Sequence, residues 1–230
     1  MHGMTRSKRF TALLAFVDTK KAYAIHDAIA AVKKTANTRF DSTVELHCRL
    51  GIDPTKGEQQ VRGTISLPHG TGTTRRVVAF VSGEKEKEAK EAGADQVGGE
   101  DLIDEIAQSG TIAFDVAVAT PDFMPKLAKI AKILGPKGLM PNPKTDTVGT
   151  HVKKMVEELK KGKIAFKNDG TGNVHVTIGK ASFDDAALLA NAEAAIDALR
   201  RAKPASAKGT YFAHVTLTST MGPGIMVKTE

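Results

Sequence analysis

Hydrophobic positions in this chain follow one rhythm at the two ends and another in the middle. Ile25, Ile29 and Val32 fall on one helical face, and residues 7–17 and 24–36 read as two helices. Val44, Leu46, Cys48 and Leu50 then alternate with Thr43, Glu45, His47 and Arg49, which predicts a strand over 43–50 buried on one face. Residues 60–67 alternate in the same way. Gly51-Ile-Asp-Pro-Thr-Lys-Gly57 between the two runs is turn chemistry, so two neighbouring antiparallel strands behind a helix are expected.

Pro68-His69-Gly70-Thr71-Gly72 ends that pattern. Residues 77–81 form a continuous apolar run, as in a strand buried on both faces. A short charged helix follows at 84–91, a short strand at 96–97, a helix at 101–108 and an apolar strand at 114–119. A helix over 122–134 is expected next, capped by Asp122, with Lys126, Lys129 and Lys132 on its solvent face. Strand and helix in strict alternation predict a parallel three-layer unit. Gly and Pro crowd residues 135–143, a loop, before a helix at 152–160. Residues 163–167 and 173–178 alternate around Asn168-Asp-Gly-Thr-Gly172, which predicts a hairpin. An Ala-rich helix at 184–201 and a strand at 211–219 complete the chain.

The expected fold class is therefore α/β: an α+β terminal domain with an inserted Rossmann-like parallel α/β domain. The terminal domain takes residues 1–68 plus 160–230, and the insertion takes 69–159. Linkers near 68–74 and 149–162 would join them, with Gly70, Gly72, Gly149 and Gly162 as hinge positions.

Charge divides the chain along the same lines. The 33 Lys and Arg exceed the 26 Asp and Glu by seven. Residues 1–60 hold 10 basic and 6 acidic side chains, residues 61–160 hold 14 of each, and residues 161–230 hold 9 and 6. A basic face is thus expected on the terminal domain, suited to a polyanion. Aromatics are only 5% and Trp is absent, so the core must be aliphatic. Cys48 is the single cysteine and stands among buried alternating positions, where it reads as a small hydrophobe in a reducing compartment. The apolar run at 10–17 is too short for a signal peptide, and no stretch has the length of a membrane span; a cytoplasmic protein without a membrane partner is expected.

Catalytic patterns do not appear. A nucleotide-binding parallel domain carries Gly-x-Gly-x-x-Gly after its first strand, whereas Val81 is followed by Ser82-Gly83-Glu84-Lys85-Glu86. Acidic residues at a helix start repel a pyrophosphate. The seven His are scattered, without metal-ligand spacing. No cofactor, no metal and no enzymatic activity are expected. The rival readings are an enzyme that uses the parallel domain and a stand-alone regulator that binds RNA.

One long stretch is more specific. Ala119-Thr-Pro-Asp-Phe-Met-Pro-Lys-Leu-Ala-Lys-Ile-Ala-Lys-Ile-Leu-Gly-Pro-Lys-Gly-Leu-Met-Pro-Asn-Pro-Lys144, followed by Thr147-Val-Gly149, resembles the signature of the universal ribosomal protein L-one family in its bacterial form. Arg39-Phe-Asp-Ser-Thr-Val-Glu45, Val61-Arg-Gly-Thr64, Leu67-Pro-His-Gly70, Phe166-Lys-Asn-Asp169, Gly179-Lys-Ala-Ser-Phe183 and Thr220-Met-Gly-Pro223 are similar to further blocks in family order.

The resemblance implies a structural protein of the large ribosomal subunit. Its terminal domain would bind large-subunit ribosomal RNA and form the mobile stalk, which assists release of exit-site tRNA. The free protein, a monomer, would repress translation of its own messenger RNA. By position, the RNA surface would include Arg39, Phe40, Thr43, Lys167, Asn168, Asp169, Thr218, Thr220, Met221 and Gly222. Structured RNA is read through shape, 2′-hydroxyls and phosphates, to which Thr hydroxyls, a bare Gly backbone, an exposed ring and cations are suited. Gly222, in an exposed loop, is expected to accept a side chain at little cost to the fold. Asn168 and Asp169 could equally serve the turn alone. His214 departs from the small hydroxyl residue common at its position, and Arg39 replaces the common Lys.

Overall fold

The structure, a computed structural model, describes residues 6–228. In chain order its elements are α1 (Lys8–Leu14), α2 (Ile25–Thr35), β1 (Thr43–Leu50), β2 (Arg62–Ser66), β3 (Val77–Phe80), α3 (Glu84–Glu91), β4 (Gln96–Gly98), α4 (Glu100–Ser109), β5 (Val116–Ala119), α5 (Met124–Leu127), α6 (Ala131–Leu134), α7 (Val152–Lys160), β6 (Lys163–Lys167), β7 (Asn173–Lys180), α8 (Asp185–Arg201), β8 (Phe212–Ser219) and β9 (Ile225–Val227). The architecture is mixed α/β, with a parallel Rossmann-like sheet and α+β terminal elements. The chain falls into two compact units: one runs to Gly72 and resumes at Phe166, and the other is Thr73–Ala165.

In the first unit, β7, β1, β8 and β9 form one antiparallel sheet in that order. Its inner face follows directly from the alternation. Leu46 lies opposite Val176 and Leu217, and Cys48 opposite Val174 and Val215, all buried. Helices α2 and α8 pack on this face. Ile29 and Val32 of α2 are fully buried, each side chain contributing about 1.5–3 kcal/mol relative to exposure.

The expected pairing of the strands at 43–50 and 60–67 does not form. β1 has β7 on one edge and β8 on the other, so β2 pairs with β6 instead. Gly51 directs the chain away: its N–H donates to Tyr211 O at 2.7 Å, and a Cβ there would lie 2.2 Å from Thr210 O. The hairpin expected around residues 168–172 is likewise absent, because β6 and β7 join different sheets. Asn168 explains the split. Its N–H donates to Val61 O at 2.9 Å while its Oδ1 accepts from Val61 N at 2.8 Å, which commits this end of β6 to the β2 side. The short return strand β9 was not anticipated from the sequence.

The second unit has a parallel sheet in the order β4-β3-β5. All four residues of β3 are buried, as a strand covered on both faces requires. Val78 and Phe80 face a cluster with Ile103, Ile106, Leu127, Ile130 and Leu134. Val77, Ala79 and Val81 face Ala89, Val152 and Val156 on the opposite side. The helix expected over 122–134 is broken into α5, α6 and intervening 3-10 turns. Pro125 lacks the N–H that a continuous helix would use. Asp122 is not a cap; it lies inside the 3-10 turn Pro121–Phe123, which starts after Thr120. Lys126, Lys129 and Lys132 are exposed.

Candidate nucleic-acid interface

Helices cover one face of the four-stranded sheet, and the other face presents the alternate residues. On β1 these are Thr43, Glu45, His47 and Arg49; Asn173, His175 and Thr177 stand beside them on β7, and His214, Thr216 and Thr218 on β8. The residues expected to bind RNA gather at the two ends of this open face. Six residues separate Thr43 from Arg49 along β1, roughly 20 Å at extended spacing.

At the Thr43 end two backbone segments interlock. Thr220 N donates to Thr43 O at 2.9 Å, and Thr43 N donates to Thr220 Oγ1 at 3.1 Å. Thr43 Oγ1 accepts from Lys180 Nζ at 2.9 Å, and Thr218 Oγ1 donates to Ser219 O at 3.0 Å. These hydroxyls are therefore held in fixed orientations, each retaining lone-pair capacity for a further donor. Arg39 is exposed, and Phe40 is 56% exposed rather than part of the core. Thr38 Oγ1 holds Phe40 O at 2.9 Å, and Asp41 accepts from Ser182 N and Oγ at 3.1 and 2.7 Å, so the exposed ring stands on a fixed loop.

Met221 is 65% exposed and has φ +66°, one of two non-glycine residues with positive φ among those described. The turn closes through Gly222 N donating to Ser219 O at 2.8 Å. Here the sequence expectation is corrected. A Cβ on Gly222 would lie 2.3 Å from Ser219 Oγ, an atom already buried without a partner. A side chain at Gly222 would force the buried Ser219 hydroxyl to turn aside and would crowd Ser219 O at 3.2 Å, so the position is not a freely substitutable loop residue.

Lys167, Asn168 and Asp169 occupy the other end, where Leu50 N donates to Gly172 O at 2.9 Å. Lys167 is exposed. Asn168 is only 7% exposed, and its Nδ2 donates to Asp169 O at 2.9 Å, so both ends of its amide are bonded within the protein. Asp169 accepts from Asn173 N at 2.7 Å and from Thr171 N and Oγ1 at 2.8 Å each. The Asn173 N–H and the Thr171 donors hold its carboxyl far below the usual carboxylate range. These two residues build the turn.

Between the ends, His47 and His175 meet edge to face with Nδ1 atoms 2.8 Å apart, so one donates and the other accepts. Burial and the neighbouring His175 ring push the His47 pKa down, against Glu45, which raises it. Period-two alternation marks His47 and His175 as outward-facing, but their meeting depends on strand register, which no local pattern encodes. Sequence reasoning also missed Arg9, which precedes the quoted blocks. Its Nη1 donates to Asn37 Oδ1 at 3.0 Å and its Nη2 to Met221 O at 2.7 Å.

Charge favours this unit as the anion-binding one. With the observed boundaries it holds 18 Lys and Arg against 12 Asp and Glu, a net +6, while the other unit holds 15 against 14. Among the hinge candidates, Gly70, Gly72 and Gly162 have φ of +65°, +73° and +103°. Gly149 lies well inside the second unit, where its N–H donates to Ala119 O at 3.1 Å beside the Ala119–Val148 bridge. No group of three or more potential metal ligands occurs among the described residues. In comparison with known proteins, residues 32–223 match the model of the ribosomal protein L1p/L10e family, a span that takes in both ends of the open face.

Proposed function

Because the chain belongs to the ribosomal protein L1p/L10e family, and so to a family of RNA-binding ribosomal proteins rather than enzymes, we propose that it builds the mobile stalk of the large subunit by laying the open sheet face of its first unit on large-subunit ribosomal RNA. The observation that carries this reading is the Thr43 end of the sheet. Phe40 and Met221, two of the three large hydrophobics exposed among the described residues, flank a locked Thr43–Thr220 pair in the more basic unit. Rings and thioethers at the surface suit sugar and base faces, oriented hydroxyls suit 2′-OH groups, and Arg39 and Lys167 suit phosphates.

In the same reading the stalk assists release of exit-site tRNA, and the free, monomeric, cytoplasmic protein represses its own messenger RNA through the same face. The two chain crossings, after Gly72 and before Phe166, would serve as the hinge, with Gly70, Gly72 and Gly162 supplying backbone freedom.

The test is twofold. Tagged protein should sediment with large ribosomal subunits in a sucrose gradient. In titrations against purified large-subunit ribosomal RNA, Phe40→Ala should weaken binding, and Lys167→Ala should also flatten the salt dependence. Wild-type affinity in both variants would sink the assignment of this face.

A further inference from the structure

We propose that the N-terminal helix adds a nucleotide subsite to this interface, in which Arg6, seated over Phe10, takes a phosphate and the exposed Met221 takes the flat face of a base or sugar. The proposal rests on the RNA-binding reading above and extends it to residues that precede the span matched by the family.

The first observation is an open surface depression of about 440 Å³ lined by Arg6, Ser7, Arg9, Phe10, Met221 and Gly222. Two of these residues are cationic and none is acidic, so the depression favours an anion. Phe10 and Met221 give it an apolar wall. A dry apolar ligand does not match two guanidinium groups, and an inorganic anion alone leaves the ring and thioether unused. A nucleotide has both parts.

The two arginines have different roles. Arg9 is a positioning residue. Its guanidinium joins Asn37, on the loop that leads to Arg39 and Phe40, to the carbonyl of Met221. One side chain of α1 thereby fixes both loops of the Thr43 end. It also restrains Met221 at φ +66°, a conformation that L side chains rarely adopt. A strained residue that is 65% exposed is displayed rather than packed, which points to a contact made outside the fold. Arg6 has no carboxylate partner among the described residues. Its guanidinium lies 4.8 Å from the centre of the Phe10 ring. Seated over the ring at this distance, the guanidinium keeps N–H donors that no carboxylate occupies, as binding a phosphate requires.

The experiment compares full-length wild type, Arg6→Ala, Arg6→Lys, Phe10→Leu, Phe40→Ala and Lys167→Ala by filter binding to purified large-subunit ribosomal RNA at several salt concentrations. Arg6 is exposed, so its variants should keep the wild-type melting curve by far-UV circular dichroism. Arg6→Ala should bind at least about fivefold more weakly at low salt, with the slope of log affinity against log salt reduced by about 1. Arg6→Lys should restore the slope but not the full affinity, because an ammonium lacks the planar fork of N–H donors that binds a phosphate in two places. Phe10→Leu should lose affinity with the slope unchanged. Wild-type affinity and slope in Arg6→Ala, alongside weak binding by Phe40→Ala, would overturn the subsite and leave the interface standing. Wild-type binding by Phe40→Ala and Lys167→Ala together would instead overturn the interface reading.

Discussion

Replacing Asn168 by Ala separates a residue that builds the turn from one that touches RNA. Its side chain makes two bonds inside the protein, Oδ1 with Val61 N at 2.8 Å and Nδ2 with Asp169 O at 2.9 Å. Val61 is 1% exposed, so its N–H has no route to water after the change. A buried donor left unsatisfied costs about 1–3 kcal/mol. The Asp169 carbonyl belongs to an exposed residue and can be rehydrated, so its lost bond adds about 0.5–1.5 kcal/mol. The total is about 1.5–4.5 kcal/mol, a large part of a domain's usual 5–15 kcal/mol. Both tyrosines, Tyr23 and Tyr211, lie in the first unit and no Trp is present, so tyrosine fluorescence during urea unfolding reports on that unit alone. The midpoint should fall with little change in slope. At low temperature, where the variant is still folded, RNA affinity should stay within about threefold of wild type, equivalent to under 1 kcal/mol. Stability within about 0.5 kcal/mol of wild type, combined with a tenfold loss of RNA affinity, would refute the reasoning and make Asn168 a direct contact.

Gly222→Ala should lower the melting temperature, since its Cβ would meet Ser219 Oγ at 2.3 Å; a variant as stable as wild type would show that the turn adjusts freely. Asp169 has a folded-state pKa depressed by the Asn173 and Thr171 donors, so its contribution is present above the unfolded value near pH 4 and is lost as pH falls further. Asp169→Asn should therefore flatten stability against pH on the acid side, and an unchanged acid profile would argue against the turn role. His47 is depressed too, so below pH of about 6.5 the unfolded chain takes up the proton first and stability falls as pH falls. His47→Gln should reduce that slope between about pH 7 and 5 in urea midpoints, and an identical slope would show that His47 does not carry it.

How much of this was readable in advance depends on whether the cause is local. The alternation of Val44, Leu46, Cys48 and Leu50 contains the buried face of β1, and the run 77–81 contains the doubly covered strand, because burial itself writes those patterns. Strand partners are different. Asn168-Asp-Gly-Thr-Gly172 is sound turn chemistry, and the turn is there, but the buried amide of Asn168 binds Val61, more than a hundred residues earlier, and sends β6 to another sheet. Gly222 resembles a permissive loop residue until the Ser219 hydroxyl beneath it is seen. Arg9 carries no signal at all, since its role is defined by Asn37 and Met221, at opposite ends of the chain.

The distance between the two ends of the open face also constrains how RNA can be held under the proposed reading. Roughly 20 Å separates Thr43 from Arg49 along an extended strand, and the cations concentrate towards the ends: Arg39 near Thr43, Arg49 and Lys167 near the far turn. The middle is hydroxyl, imidazole and carboxylate: Thr216, His47, His175 and Glu45. Glu45 stands 3.6 Å from His47 Nε2, which tempers but does not remove its repulsion of phosphate. A backbone lying straight along the sheet would therefore be favoured at both ends and disfavoured between them. Two phosphate-bearing segments anchored at the ends, with sugar edges or bases presented to the middle, fit the same charges without conflict. That is recognition of a folded RNA by the spacing of its parts, and a single strand of arbitrary sequence could not reproduce it.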